Sequence, residues 1–336
     1  MNVLDAGGGS AVRPCGNDER DGRCKSYTVV VSRSAKAHIL LVIITFIWGA
    51  TFVVIKDALA DISPLLFNAV RMSISAVLLS LVYFKEFKRI SRGAMMGGAA
   101  IGVFLWAGYE FQTAGLNLTT ASKSAFVTGL SVVLVPVFLA VFWRKHINRW
   151  TSLGVFSSFI GLYLVAVPGG PRGEFLHFEG VNLGDVLTLG CAVAFAFHII
   201  LVGRMTQRHP FAQIVVVQMI VGAVLMAVSV PLLETAFVQW SRQVVWALAV
   251  TSVFATVVAF VVQAWAQQFT PPTHTALIFA LEPVFALMTS YVVLGERLGW
   301  RAGAGAGLIL AGVLVSELLP GRIVNQAELV EETGTD

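Results

Sequence analysis

Residues 69–79 read AVRMSISAVLL, and residues 216–226 read VVQMIVGAVLM. Aligned without a gap, they match at Val70/Val217, Met72/Met219, Ala76/Ala223, Val77/Val224 and Leu78/Leu225, an offset of 147 positions. Further along, Gln112, Thr119 and Ala125 correspond to Gln263, Thr270 and Ala276 at an offset of 151, and Gly154 and Gly161 to Gly305 and Gly312 at the same offset. Chance apolar similarity does not easily keep one order and nearly one offset in three places. The chain therefore reads as two copies of one unit.

Composition says what the unit is made of. Of 336 residues, 57% are hydrophobic and 12% charged, against roughly 45–50% and about 25% in ordinary soluble domains. The charges gather in the first 36 residues, in short connections and near the C-terminus. A helix needs about 17–25 apolar residues to cross a bilayer. Ten such runs are expected, near 37–58, 64–84, 93–116, 119–143, 151–168, 183–204, 211–233, 243–265, 272–294 and 300–318. Runs such as HILLVIITFIWGATFVVI (38–55) are continuous and lack the alternation of a barrel strand. The longest connection, PGGPRGEFLHFEGVNLGD (168–185), leaves no room for a soluble catalytic domain.

Five spans per unit is an odd number, so the second copy enters the membrane upside down. The fold class expected is thus all-α and membrane-integral, with ten transmembrane helices as two inverted five-helix repeats. The repeats occupy 37–168 and 182–318, between a polar, glycine-rich tail (1–36) read as disordered and a second tail (319–336). The first apolar run is full length and has no small-residue cleavage site, so it does not read as a signal peptide. Cys15, Cys24 and Cys191 match neither a zinc site nor a disulfide framework and read as unpaired thiols.

Basic residues set the orientation. With the N-terminus inside, 16 Lys and Arg fall on the cytoplasmic side and 6 outside, with Arg71 left within a span. Both termini are expected to be cytoplasmic, and the net charge of +4 then reflects this bias rather than nucleic-acid binding.

The stretches FIWGATFVVIKDAL in span one, FNAVR (67–71) in span two, SKSAFVTGLSVVLVPVF in span four and LEPVFALMTSYVVLGERLGW across spans nine and ten resemble the EamA-like family of the drug/metabolite transporter superfamily. The resemblance covers about residues 37 to 318. It implies a bacterial inner-membrane carrier of two five-helix halves around a central cavity, mostly exporting metabolites, amino acids or toxic compounds. Its partners would be a small-molecule substrate and the bilayer, with no cofactor; a proton as coupling ion is an expectation that rests on Glu282.

Glu282 and Pro283 stand about ten residues into span nine, which places the carboxylate about 15 Å deep. A charge facing lipid there costs at least about 2.5–3.5 kcal/mol, so Glu282 is expected to face the bundle interior. Pro283 removes the partner of the carbonyl near Phe279 and favours a kink. Glu282 then binds a cationic group or carries a coupling proton, or else it stabilises the kink by hydrogen bonding. Its repeat-equivalent position in span four is Val135-Pro136, which confines any carboxylate function to one half.

Trp48 and Gly49 in span one, and Gly129 and Ser131 in span four, share the Glu282 depth. Trp48 offers either a face for a cation or core packing. Arg71 and Glu110 lie about 10 Å below the outer surface, where they could pair as structure or as a gate. Lys123 is shallower on that side. Gln218, Gln263 and His274, the repeat partners of Arg71, Gln112 and Lys123, are expected with His198 in a cytoplasmic-side cluster, one polar group near each mouth. No HExxH, CxxC, GxSxG elbow or Walker lysine occurs, which argues against metal, serine-hydrolase and ATP-driven chemistry. Import or exchange is the alternative within transport, and a membrane-embedded enzyme or scaffold the alternative outside it.

Overall fold

The structure, a computed structural model, describes residues 32–118, 124, 127–166, 182–294 and 299–319. Lys123, Cys15, Cys24 and nearly all of both expected tails lie outside these residues, so those readings receive no structural account.

The described chain is helical. Its elements are α1 (Arg33–Ala58), α2 (Pro64–Val82), α3 (Phe84–Phe87), α4 (Arg92–Leu118), α5 (Ser131–Trp143), α6 (Arg149–Ala166), α7 (Leu183–Thr206), α8 (Phe211–Leu233), α9 (Arg242–Ser252), a π-helical segment (Val253–Val258), α10 (Ala259–Ala266), α11 (Pro272–Phe279), α12 (Glu282–Leu294) and α13 (Trp300–Leu318). Local chemistry starts several of them. The Ser32 hydroxyl accepts from Ala35 N at 3.1 Å, and that of Ser241 from Val244 N at 3.2 Å. Asn182 and Asp185 form a reciprocal capping box at α7. Pro64 and Pro272 open α2 and α11, where a missing N–H costs no bond.

Six helical stretches among the described residues are long and apolar enough to cross a membrane: Arg33–Thr51, Pro64–Val82, Arg92–Gly115, Leu183–Thr206, Phe211–Leu233 and Arg242–Ala266. Ten were expected from the sequence. The other four regions hold α5, α6, the pair α11 and α12, and α13; the fourth region is described only in part and the ninth is interrupted.

Large apolar side chains cover the outside. Met96 is 74% exposed, Leu232 74% and Val292 78%, an exterior that suits acyl chains rather than water. Inside, α2 and α4 pack on α8, α4 on α7, α1 on α12, and α6 on α13. The last pair meets backbone to backbone. A Cβ on Gly154 would stand 2.5 Å from the Gly312 carbonyl oxygen and one on Gly312 2.5 Å from that of Gly154; Gly161 and Gly305 approach in the same way at 2.6 Å. These four glycines are the ones that match at the 151-residue offset, and each packs on the image of its partner's match.

A clasp joins the two sequence halves at the start of α2. The Glu234 carboxylate accepts from the backbone N–H groups of Leu65 (3.1 Å) and Leu66 (3.2 Å), placing negative charge at the helix N-terminus. Beside it Ser63 N donates to Phe237 O at 3.0 Å and Gln239 N to Asp61 O at 2.7 Å, around an antiparallel bridge between Ile62 and Val238.

Candidate functional site

Span nine is broken at the carboxylate. α11 ends at Phe279, Ala280 and Leu281 form a tight turn, and α12 begins at Glu282. Leu281 N donates to Ile278 O at 3.0 Å, an i→i−3 bond, and Phe285 N resumes the regular pattern to Leu281 O at 3.0 Å. Pro283, in the first turn of α12, supplies no donor.

Span four repeats this geometry at the 151-residue offset. Leu130 is the turn residue, Leu130 N donates to Val127 O at 3.1 Å, and Leu134 N to Leu130 O at 2.9 Å. The turns thus align Leu130 with Leu281 and Ser131 with Glu282. The turns set Ser131 against Glu282, whereas the two prolines set Val135 there. α5 continues through the buried Pro136, and the turn in this span lies at Leu130.

Glu282 is half-buried, and no described residue hydrogen-bonds its carboxylate. Gly49 makes the fit to α1: a Cβ there would lie 2.8 Å from Glu282 O, Ala286 N and Phe285 Cβ. The neighbouring Trp48 is fixed in place. Its indole N–H donates to Ala255 O at 2.8 Å, and its ring meets Phe279 edge-on at 5.0 Å and Phe260 at 5.8 Å. A cavity of about 250 Å³ lies near one end of the bundle, lined in part by Lys145, His146, Arg204, Gln207 and His274.

On the opposite wall, Gly129 faces Leu162 and would bring a Cβ within 3.0 Å of it. Ser131 is half-buried at the start of α5. Thr128 Oγ1 approaches Cys191 Sγ at 3.8 Å, and that thiol lies within electrostatic reach of Glu282.

Arg71 and Glu110 do not pair as expected. The Arg71 guanidinium stacks over the Tyr109 ring at 4.7 Å, while Glu110 Oε1 accepts from Ser229 Oγ at 2.9 Å. Adjacent residues on α4 point apart, so Tyr109 receives the cation that Glu110 cannot reach. Arg71 is 3% exposed, and its Nε and Nη2 are buried without a hydrogen-bond acceptor; Glu110 Oε2 is likewise unpartnered. Gln112, half-buried on α4, joins neither residue.

The expected cytoplasmic-side cluster divides. His198 Nε2 stands 3.1 Å from Gln218 Oε1, and the acceptor oxygen makes Nε2 the protonated nitrogen. Gln263 Nε2 donates to Gln267 Oε1 at 3.2 Å, and Gln267 Nε2 to Ile199 O at 3.0 Å. His274 belongs elsewhere: its Nδ1 lies 2.8 Å from Glu317 Oε1. Its place at the start of α11 brings it to the end of α13.

Several contributors were missed in the sequence. The π-helical segment has a faint signal in its run of small and polar residues, TSVFAT at 251–256. Such widened turns recur at functional sites, and this one receives the Trp48 indole. Tyr109, Ser229, Thr128 and Cys191 matter only through contacts more than 35 positions distant in sequence, which spacing does not reveal.

Comparison with known proteins accords with this architecture. The model of the EamA-like transporter family matches twice, over residues 35–167 and 182–318. An uncharacterized transporter of Archaeoglobus fulgidus is 33% identical over 284 residues, covering 84% of this chain and 86% of its own. The uncharacterized transporter YoaV of Bacillus subtilis is 24% identical over 295 residues, covering 84% and 96%. A protein of known crystal structure shares the fold with a TM-score of 0.70 at 17% identity, over 84% of this chain and 97% of its own. The chain is thus a multi-pass membrane protein with a small-molecule substrate, and it belongs to the EamA-like transporter family.

Proposed function

We propose that the protein is a secondary carrier that moves small metabolites, such as amino acids or toxic compounds, outward across the inner membrane by alternating access. In this reading the halves 37–168 and 182–318 are ten spans in inverted repeat, with both termini cytoplasmic. The family model's double match, the reciprocal glycine contacts of α6 and α13, and the matched turns at Leu130 and Leu281 support the repeat. The excess of basic residues on the side of the N-terminus supports the orientation.

The observation that carries the mechanism is Glu282, at the interruption of span nine, beside the fixed Trp48 and without a described hydrogen-bond donor. A carboxylate near midplane exchanges between the two mouths only as the neutral acid or paired with a cation, because the bare charge is too costly there. Protonation and binding of a cationic group therefore compete at one atom pair, which is what proton-coupled exchange requires. Arg71 supports the anionic end of the same substrate. A buried charged group with unmade hydrogen bonds carries a penalty of about 1–3 kcal/mol or more, and a substrate carboxylate reaching Nε and Nη2 relieves it. The substrate class this favours is zwitterionic.

The test is flux of a labelled amino-acid and metabolite panel in proteoliposomes, with and without an imposed pH gradient. Wild type is expected to move substrate against the proton gradient, and Glu282→Gln, equal in shape, to lose at least about tenfold of the gradient-driven rate. Flux indifferent to both gradient and substitution in a folded protein overturns the assignment. The sign of the gradient that drives release fixes the direction.

A further inference from the structure

Three side chains from three separate helices converge where α1 and α11 begin and α13 ends. His38 Nδ1 is 3.1 Å from Glu317 Oε2, and His274 Nδ1 is 2.8 Å from Glu317 Oε1. The two imidazole rings are tilted by 31° with centroids 6.4 Å apart, and the three ligand atoms all lie within 4.8 Å of one another. Side-chain exposures of 28%, 25% and 18% leave the group open to ions from solution while its surroundings remain largely protein.

We infer that His38, His274 and Glu317 form a binding site for a divalent transition-metal ion such as Zn²⁺. Atoms coordinating one such ion at 2.0–2.2 Å stand about 3–4.4 Å apart, so the observed triangle closes on an ion with small side-chain rotations. Two imidazoles and one carboxylate suit zinc, cobalt or nickel, and disfavour magnesium and calcium, which take mostly oxygen ligands. Three protein ligands leave a fourth position for water. The close imidazole–carboxylate approaches seen here hold the three side chains together before the ion enters, while Glu317 Oε1 and His38 Nε2 are buried without a hydrogen-bond partner among the described residues. Because the ligands come from spans one, nine and ten, the ion ties the first half of α11 to both flanking helices. This inference is independent of the transport direction and of any role for Glu282.

The experiment is Co²⁺ titration of the full-length, untagged protein in detergent, with Cys15 and Cys24 changed to serine to remove tail thiols, followed by displacement with Zn²⁺. Cobalt in a site of this kind absorbs in the visible range, and thermal unfolding reports the tie between helices. The parent protein is expected to bind one Co²⁺ with a visible band that Zn²⁺ abolishes, and Zn²⁺ to raise its unfolding temperature. Glu317→Gln, His274→Asn and His38→Asn are each expected to weaken binding by at least about tenfold, since loss of even an outer-shell partner costs 10–100-fold. Unfolding without metal identifies any variant that has lost its structure, and the remaining two then decide. No visible band, or binding unchanged in the folded variants, overturns the site and leaves the triad as an ion-pair clasp.

Discussion

Gly49 is the residue on which the crossing of α1 and α12 turns. Any side chain there meets backbone atoms, Glu282 O and Ala286 N at 2.8 Å, which cannot rotate away. Gly49→Ala is expected to lower stability by about 1–3 kcal/mol and to reduce transport more than a remote substitution of equal cost. Unfolding temperature and proteoliposome flux measured on the same preparation separate the two effects. At Arg71, lysine keeps the charge but loses the planar fork that stacks on Tyr109 and offers two unpartnered donor nitrogens. Arg71→Lys is expected to weaken binding of a carboxylate substrate by about tenfold or more while sparing uptake of an amine that lacks one. Equal affinity for both variants would place Arg71 in structure alone. At this scale the sequence spoke clearly where burial of charge is costly: Glu282, Arg71 and Glu110 stand out in apolar runs. Their partners did not. Whether Arg71 meets Glu110 or Tyr109 is decided by side-chain direction around one helical turn, and single-residue spacing carries no record of it.

The helices show which kinds of pattern a sequence preserves. Long continuous apolar runs gave α1, α2, α4, α7 and α8 within a few residues, because length and hydropathy alone decide them. The interrupted ninth span was visible through Pro283. The similar turn at Leu130 in span four was not, because a proline is conspicuous in sequence and a leucine turn is not. The π-helical segment left little trace, since its widened turn answers a tertiary need, the Trp48 indole. The α6–α13 pair gives the prediction proper to this scale. Gly154→Val places methyl groups into the Gly312 backbone, within the 2.5 Å already reached by a Cβ. Separation of the two helices, an unfolding temperature lowered by several degrees and loss of transport are expected. Gly303→Ala, where nothing lies within 4 Å of an added Cβ, serves as the neutral control in the same thermal scan.

For the molecule as a whole, orientation is the testable quantity. Cys15 and Cys24 precede the first helix, and Cys191 is buried among the described residues. A membrane-impermeant maleimide is expected to label the tail cysteines in inverted vesicles and in lysed cells but not in intact cells. Labelling of intact cells would reverse the assignment of both termini. The self-matching contacts of α6 and α13 carry a wider consequence. In the proposed inverted repeat they have the form of an isologous dimer interface, in which a patch meets its own image. Two identical five-helix chains meeting in this way would be forced to place the same residue at both central turns. Two carboxylates there would share one low-dielectric centre and repel. In that reading a single polypeptide lifts the constraint: the two turns differ, with Glu282 at one and Ser131 at the other, and asymmetry of charge is what covalent duplication makes possible.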